Sequence, residues 1–292
     1  MIFEAIAANR RLTVLLLVAF TGLLAGLGYL AGEIWRLGPW PLVAALVVAF
    51  FSSWSAYFYS DAIVLRVSGA QPASHDQYPE LYNAVEGLCL AAIMPRPRLY
   101  VIEDSAPNAF ATGRDPQHAA IAVTTGLLAK TDREELKGVV AHELSHIRRY
   151  DIRLMAIVAV LAGTVALLAD WLQRSFFYGP RRSRERGNAP LALLGFAAAL
   201  LAPLAALLMQ LAISRRREFL ADAGSAELTR NPGALASALE KLDADSDPLE
   251  VANKATAPLY IVNPLKEHGG WLNSLFSTHP PLPERVRRLR AL

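Results

Sequence analysis

The residues best suited to chemistry are two histidines four positions apart, with a glutamate directly after the first: Ala141-His142-Glu143-Leu144-Ser145-His146. On an α-helix, residues at this spacing share a face one turn apart, so both imidazoles reach a single ion. Zinc takes nitrogen ligands at about 2.0–2.1 Å, and its catalytic sites keep one position for water, whose pKa falls to roughly 7. Glu143 then sits beside that water without binding the ion. It is placed to take the water's proton and to pass it to a leaving amine. A chance match on an amphipathic helix is the competing reading. The uncharged Leu144, Ser145 and Ile147 and a capping signal upstream favour the chemical one.

Two histidines do not complete a catalytic zinc site, which needs a third protein ligand. The downstream candidates are Asp151, Glu218, Asp222, Glu227, His268 and His279. Asp151 is five positions beyond His146, half a turn off the ligand face. Glu218 and Asp222 are four apart and share a helix face. That suits one carboxylate on the metal and one hydrogen-bonded to a ligand histidine. A solvated face, or pairing with Arg215 to Arg217, accounts equally well for the two acids taken alone.

The elements that must position these residues are largely apolar. Of the 292 residues 53% are hydrophobic and 19% charged, an excess that needs a location other than a soluble core. Four apolar segments supply it: Leu12 to Ala31, Trp40 to Tyr59, Leu154 to Leu172 and Ala189 to Ile213. About twenty helical residues span the hydrocarbon core, so the first two predict a membrane hairpin. The hairpin of segments three and four leaves after His146 and returns just before Glu218, bringing a second helix back beside the first. The net charge of +3 comes from arginines flanking the apolar segments, which fits a bilayer partner and argues against nucleic acid. The arginine bias predicts a catalytic domain on the cytoplasmic side, although five arginines in the 174–186 loop pull the other way. The single Cys89 excludes an intrachain disulfide and a CxxC zinc knuckle.

Between the hairpins, Pro79 opens a helix and Arg98 to Glu103 reads as a buried strand. Asn108 to Thr112 and Ala119 to Thr125 read as a β-hairpin. Thr131 to Glu134 has the S/T-x-x-E pattern, which predicts a helix from Asp132 that carries His142 and continues into the third apolar segment.

Several motifs in order resemble the HtpX family of bacterial membrane heat-shock metalloproteases, relatives of the CAAX prenyl endopeptidases. They are Ser60 to Arg66, Asn108 to Gly113, Ala141 to His146, Ser214 to Asp222 and Phe276 to Pro281. The resemblance covers nearly the whole chain. It implies Glu218 as third ligand, Asp222 as its supporting residue, and a role in clearing damaged membrane proteins under stress. The chain departs from it at Arg149, where relatives commonly carry Asn; no ligand is affected.

Asn108, Ala109 and Phe110 are candidate substrate-binding residues, on an edge strand to which an extended peptide adds; an ordinary hairpin strand is the alternative. His279, in Thr278-His-Pro-Pro281, is a candidate for stabilising the oxyanion of the tetrahedral intermediate, or else a structural histidine in a Pro-rigidified turn. His75, His118 and His268 fall in polar loops and read as solvated.

The expected architecture is α+β. A mainly helical gluzincin-type metallopeptidase domain with a small β-sheet is joined to four transmembrane or membrane-embedded helices. Residues 1–65 form the first membrane hairpin and 66–153 the catalytic part with the histidine helix. Residues 154–213 form the second hairpin and 214–292 the part with the third ligand. The expected cofactor is one Zn2+, and the expected substrates are unfolded or damaged membrane proteins. A processing protease of narrow specificity and a non-catalytic membrane scaffold are the rival readings.

Overall fold

The computed structural model describes residues 2–178, 214–245, 247–251, 256–264 and 280–292. Helix α1 (Ile2–Trp35) and α2 (Trp40–Phe58) form the N-terminal hairpin. Gly28 and Gly32 make their crossing possible. A β-carbon on Gly28 would stand 2.7 Å from Ala45 Cβ and Pro41 O, and one on Gly32 2.5 Å from Gly38 O. Small residues allow such close approach in membrane helices. Outward-facing Val14, Leu15, Val18, Leu46, Val47, Phe50 and Phe51 remain exposed, a surface suited to lipid.

After α3 (Ser60–Val67), a four-stranded sheet forms from β1 (Gln71–Pro72), β2 (Arg98–Ile102), β3 (Ala109–Gly113) and β4 (Ala119–Thr124). Helix α4 (Pro79–Ala92) lies between β1 and β2 in sequence. The sheet order is β1-β2-β4-β3, with β2 and β4 parallel and β3 an antiparallel edge strand. The expected hairpin is therefore present. The short α5 (Thr125–Lys130) leads to α6 (Arg133–Arg148), which carries both histidines.

The cap of α6 lies one residue beyond the expected position. Asp132 is the N-cap, accepting from the Glu134 and Glu135 amides at 2.8 and 2.9 Å, and Glu135 accepts from the Asp132 amide at 2.8 Å. Thr131 instead closes α5, its hydroxyl donating to Leu127 O at 2.7 Å.

Helix α6 does not continue into the third apolar segment. It stops at Arg149, and Tyr150 adopts φ +60° before α7 (Asp151–Tyr178) begins. A left-handed turn at an aromatic residue is uncommon and needs support from its surroundings. Helix α7 packs Leu154, Ile157, Val158, Leu161 and Val165 against Leu16, Phe20 and Leu24 of α1 and Ala49 and Ala56 of α2. Three helices among the described residues are thus long and apolar enough to cross a membrane, against the four expected. The fourth expected segment, 189–213, lies outside the described residues.

Helices α8 (Arg215–Thr229), α9 (Pro232–Ala244) and α10 (Leu282–Leu289) complete the domain. Leu235, Leu239, Leu242 and Leu289 share one core with Val139, Leu144 and Ile147 of α6 and Ile121 and Val123 of β4. Glycines again set the spacing. A β-carbon on Gly138 would lie 2.9 Å from Leu235 N, and one on Gly224 2.4 Å from Ser145 Oγ.

Candidate metal centre

His142 and His146 lie one turn apart on α6, fully inside the protein, and face Glu218 in the first turn of α8. Their Nε2 atoms are 3.2 Å apart. Glu218 oxygens stand 3.7 Å from His142 Nε2 and 3.5 Å from His146 Nε2. Donor atoms about 2.05 Å from a tetrahedral ion are separated by about 3.3 Å. The three donors therefore converge on a space of the right size for one small divalent cation, and they form the one such group of three among the described residues.

The orientation of both imidazoles supports the same use. His142 Nδ1 is 3.0 Å from Asp222 Oδ1, and His146 Nδ1 is 3.0 Å from Asp151 Oδ2. With a carboxylate accepting at each Nδ1–H, each ring presents its Nε2 lone pair to the shared space. Burial pushes His142 down to about 4 against the pull of Asp222. Burial also opposes charge on His146, but the Asp151 hydrogen bond and the Glu218 charge carry its pKa above the ordinary histidine value. Two nitrogen donors and one carboxylate form a set that suits zinc and accepts neighbouring transition metals as well.

Asp151 lies near the ring for a reason the sequence spacing concealed. On a continuous helix a residue five positions on is rotated by about 140°. The break at Tyr150 swings Asp151 back under His146. Asp151 thus supports a histidine and is not one of the three converging donors. Arg149, the departure noted above, joins the same corner by donating to Leu220 O at 2.6 Å and approaching Asp151 at 3.4 Å.

Glu143 is buried on the same helix, and burial raises its carboxyl to about 7 despite the charge of His146 and a hydrogen bond from the Ala111 amide. That amide belongs to β3, so the edge strand borders the centre. The rest of that edge is covered by the chain itself. Ile261 N–H donates to Ala109 O at 2.9 Å, and the Asn108 carboxamide donates to Val262 O at 2.9 Å. Phe110 is fully buried and stacks edge-on against Tyr260 with ring centroids 5.0 Å apart. The edge strand is present, but Asn108 and Ala109 are engaged by residues 261–262, and Phe110 points into the core.

Arg285 was not singled out from the sequence. It is completely buried on α10 and grips Asp222 with two hydrogen bonds of 2.9 and 2.7 Å. A third goes to Ile261 O at 3.0 Å. Burial would raise the Asp222 carboxyl, but the Arg285 guanidinium and His142 hold it below the usual carboxylate range. The signal was there to be read: Arg285 falls on the apolar stripe Leu282, Val286, Leu289, where a solvated arginine has no place. His75 and His118 are exposed, as expected of polar loops. His279 and His268 lie outside the described residues.

A buried pair of helices presenting such a donor set, with a carboxylate alongside and three apolar helices beneath, defines a membrane-associated metallopeptidase. A model of peptidase family M48 matches residues 76–292. A protease HtpX homolog of Dictyoglomus thermophilum is 46% identical over 290 residues, covering 99% of this chain and 94% of its own length. Another, from Streptococcus gordonii, is 47% identical over 300 residues and is matched along 100% of both chains. Among solved structures, S. mikatae Ste24p shares the fold with a TM-score of 0.52 at 21% identity, over 97% of this chain and 66% of that one. The chain belongs to peptidase family M48, and within it to the HtpX proteases.

Proposed function

We propose that this protease is a zinc endopeptidase that cuts unfolded or damaged membrane proteins, with its catalytic domain on the cytoplasmic side of a bacterial inner membrane. The convergence of His142, His146 and Glu218, with Glu143 buried beside them, carries the reading. His142, His146 and Glu218 would hold the ion; when bound, it supplies Lewis acidity that acidifies water and polarises the scissile carbonyl. Glu143 accepts the proton of the attacking water and returns it to the leaving amine. Asp222 and Asp151 fix the two imidazoles, and Arg285 fixes Asp222. Kinship with the HtpX proteases supports a role in membrane-protein quality control during stress.

Replacing Glu143 by Gln keeps shape and removes the base. Elemental analysis of the purified variant should find about one zinc per chain, as in wild type. Cleavage of an unfolded membrane protein should fall by a factor of roughly 10²–10⁴. Wild-type turnover by Glu143→Gln, or wild-type protein without metal, would sink the reading. Product mapping on several unrelated unfolded substrates separates broad from narrow specificity, since a dedicated processing protease leaves most uncut.

A further inference from the structure

We propose that Asn9, on the first membrane helix, is a positioning residue for the metal centre; this rests on the metal-site reading above. Asn9 lies within the apolar span Ile6–Ile34 yet is buried at 5% exposure. A buried carboxamide must find its hydrogen-bond partners within the protein. Both amide hydrogens of Asn9 go to one place, the turn between α6 and α7. One goes to Asp151 Oδ1 at 2.8 Å and the other to Arg149 O at 3.3 Å.

The contact with Asp151 matters because the other oxygen of that carboxylate accepts from His146 Nδ1 at 3.0 Å. A carboxylate that can rotate holds a histidine poorly. Asn9 is the nearest partner on Oδ1, whereas Arg217 Nε stands 3.9 Å away and Arg149 Nε approaches the opposite oxygen at 3.4 Å. The bond to Arg149 O also steadies the turn in which Tyr150 takes its left-handed conformation. A residue of the membrane hairpin, 142 positions from Asp151 in sequence, thereby sets the direction of a ligand lone pair. The hairpin is part of the catalytic apparatus as well as an anchor.

The test uses the full-length protein in detergent micelles. Asn9→Leu keeps the volume and removes the donor; Asn9→Ser keeps polarity but is too short to reach Asp151. Thr13→Val, one turn along the same face, is the control, since the Thr13 hydroxyl bonds to Asn9 O of its own helix and, among the described residues, not to the α6–α7 turn. Zinc dissociation constants come from chelator competition, and kcat and KM from cleavage of an unfolded protein. Both Asn9 variants should bind zinc about 10-fold more weakly, with kcat reduced more than KM is raised, while Thr13→Val stays at wild type. Wild-type zinc affinity and kcat in either Asn9 variant would overturn the proposal; should Asn9→Leu fail to accumulate, Asn9→Ser decides alone. Wild-type protein without zinc affinity would instead bring down the metal-site reading itself.

Discussion

At the scale of single residues, the centre is a set of buried charges, each oriented by its neighbour. Arg285→Ala would leave Asp222 buried without its guanidinium, a loss of about 3–5 kcal/mol of stability. Zinc affinity should fall by roughly 10–100-fold through His142, measurable by chelator competition. Arg285→Lys should not restore it, since an ammonium cannot make the two-pronged contact. The histidines and Glu143 were legible because their spacing is local to one helix. Glu218 and Asp222 became assignable through the resemblance, because nothing in their own spacing says which acid faces the ion. Arg285, Asp151 and Asn9 were not read as partners because their contacts depend on tertiary folding: a returning helix, a broken helix and a membrane helix.

At the scale of elements, the centre depends on how closely α6 and α8 approach. Gly224→Ala would drive a methyl into Ser145 Oγ and push α8 away, carrying Glu218 and Asp222 with it. The expected outcome is loss of zinc binding and a stability loss of about 1–3 kcal/mol, read by chelator competition and denaturant titration. At the start of α6, Glu135 closes the capping box and meets Lys241 Nζ at 2.6 Å. Burial would raise its carboxyl, but Lys241, Ser237 and the Asp132 amide hold it below the ordinary value. A carboxyl lowered on folding stabilises above its unfolded pKa of about 4.3, and that contribution disappears as pH falls through the lower folded value. Glu135→Gln should therefore cost about 1 kcal/mol at pH 7 and much less at pH 3. The strands and the first three apolar segments were readable from periodicity and turn signals, and the start of α6 from its capping pattern to within one residue. The stop at Tyr150 was not, because a left-handed tyrosine carries no local sequence signal; its support comes from α1, where Arg10 lies over the Tyr150 ring and Asn9 donates to Arg149 O.

At the scale of the whole molecule, basic and aromatic residues ring the base of the membrane helices. Arg153 lies over the rings of Tyr57 and Tyr150 at 5.9 and 5.1 Å, Arg114 over Phe58 at 5.7 Å and Arg10 over Tyr150 at 5.9 Å. Such pairs of basic and aromatic residues suit a bilayer interface. Cys89 is buried, with its thiol pushed up to about 11 by burial, so it leaves little background for thiol labelling. A cysteine at exposed His75 should resist a membrane-impermeant maleimide in intact cells and react after lysis. One at Leu37, in the α1–α2 turn, should react in intact cells. The reverse pattern would place the catalytic domain outside.

The segment lying along β3 has a consequence for how such an enzyme coexists with copies of itself. An open strand edge that recruits extended chains would also recruit a neighbouring copy, and two copies paired edge to edge would seed aggregation. Ile261 and Val262 occupy that edge instead, satisfying Ala109 and Asn108 from within the same chain. With those positions already paired, this stretch of the edge is closed to a second copy of the chain.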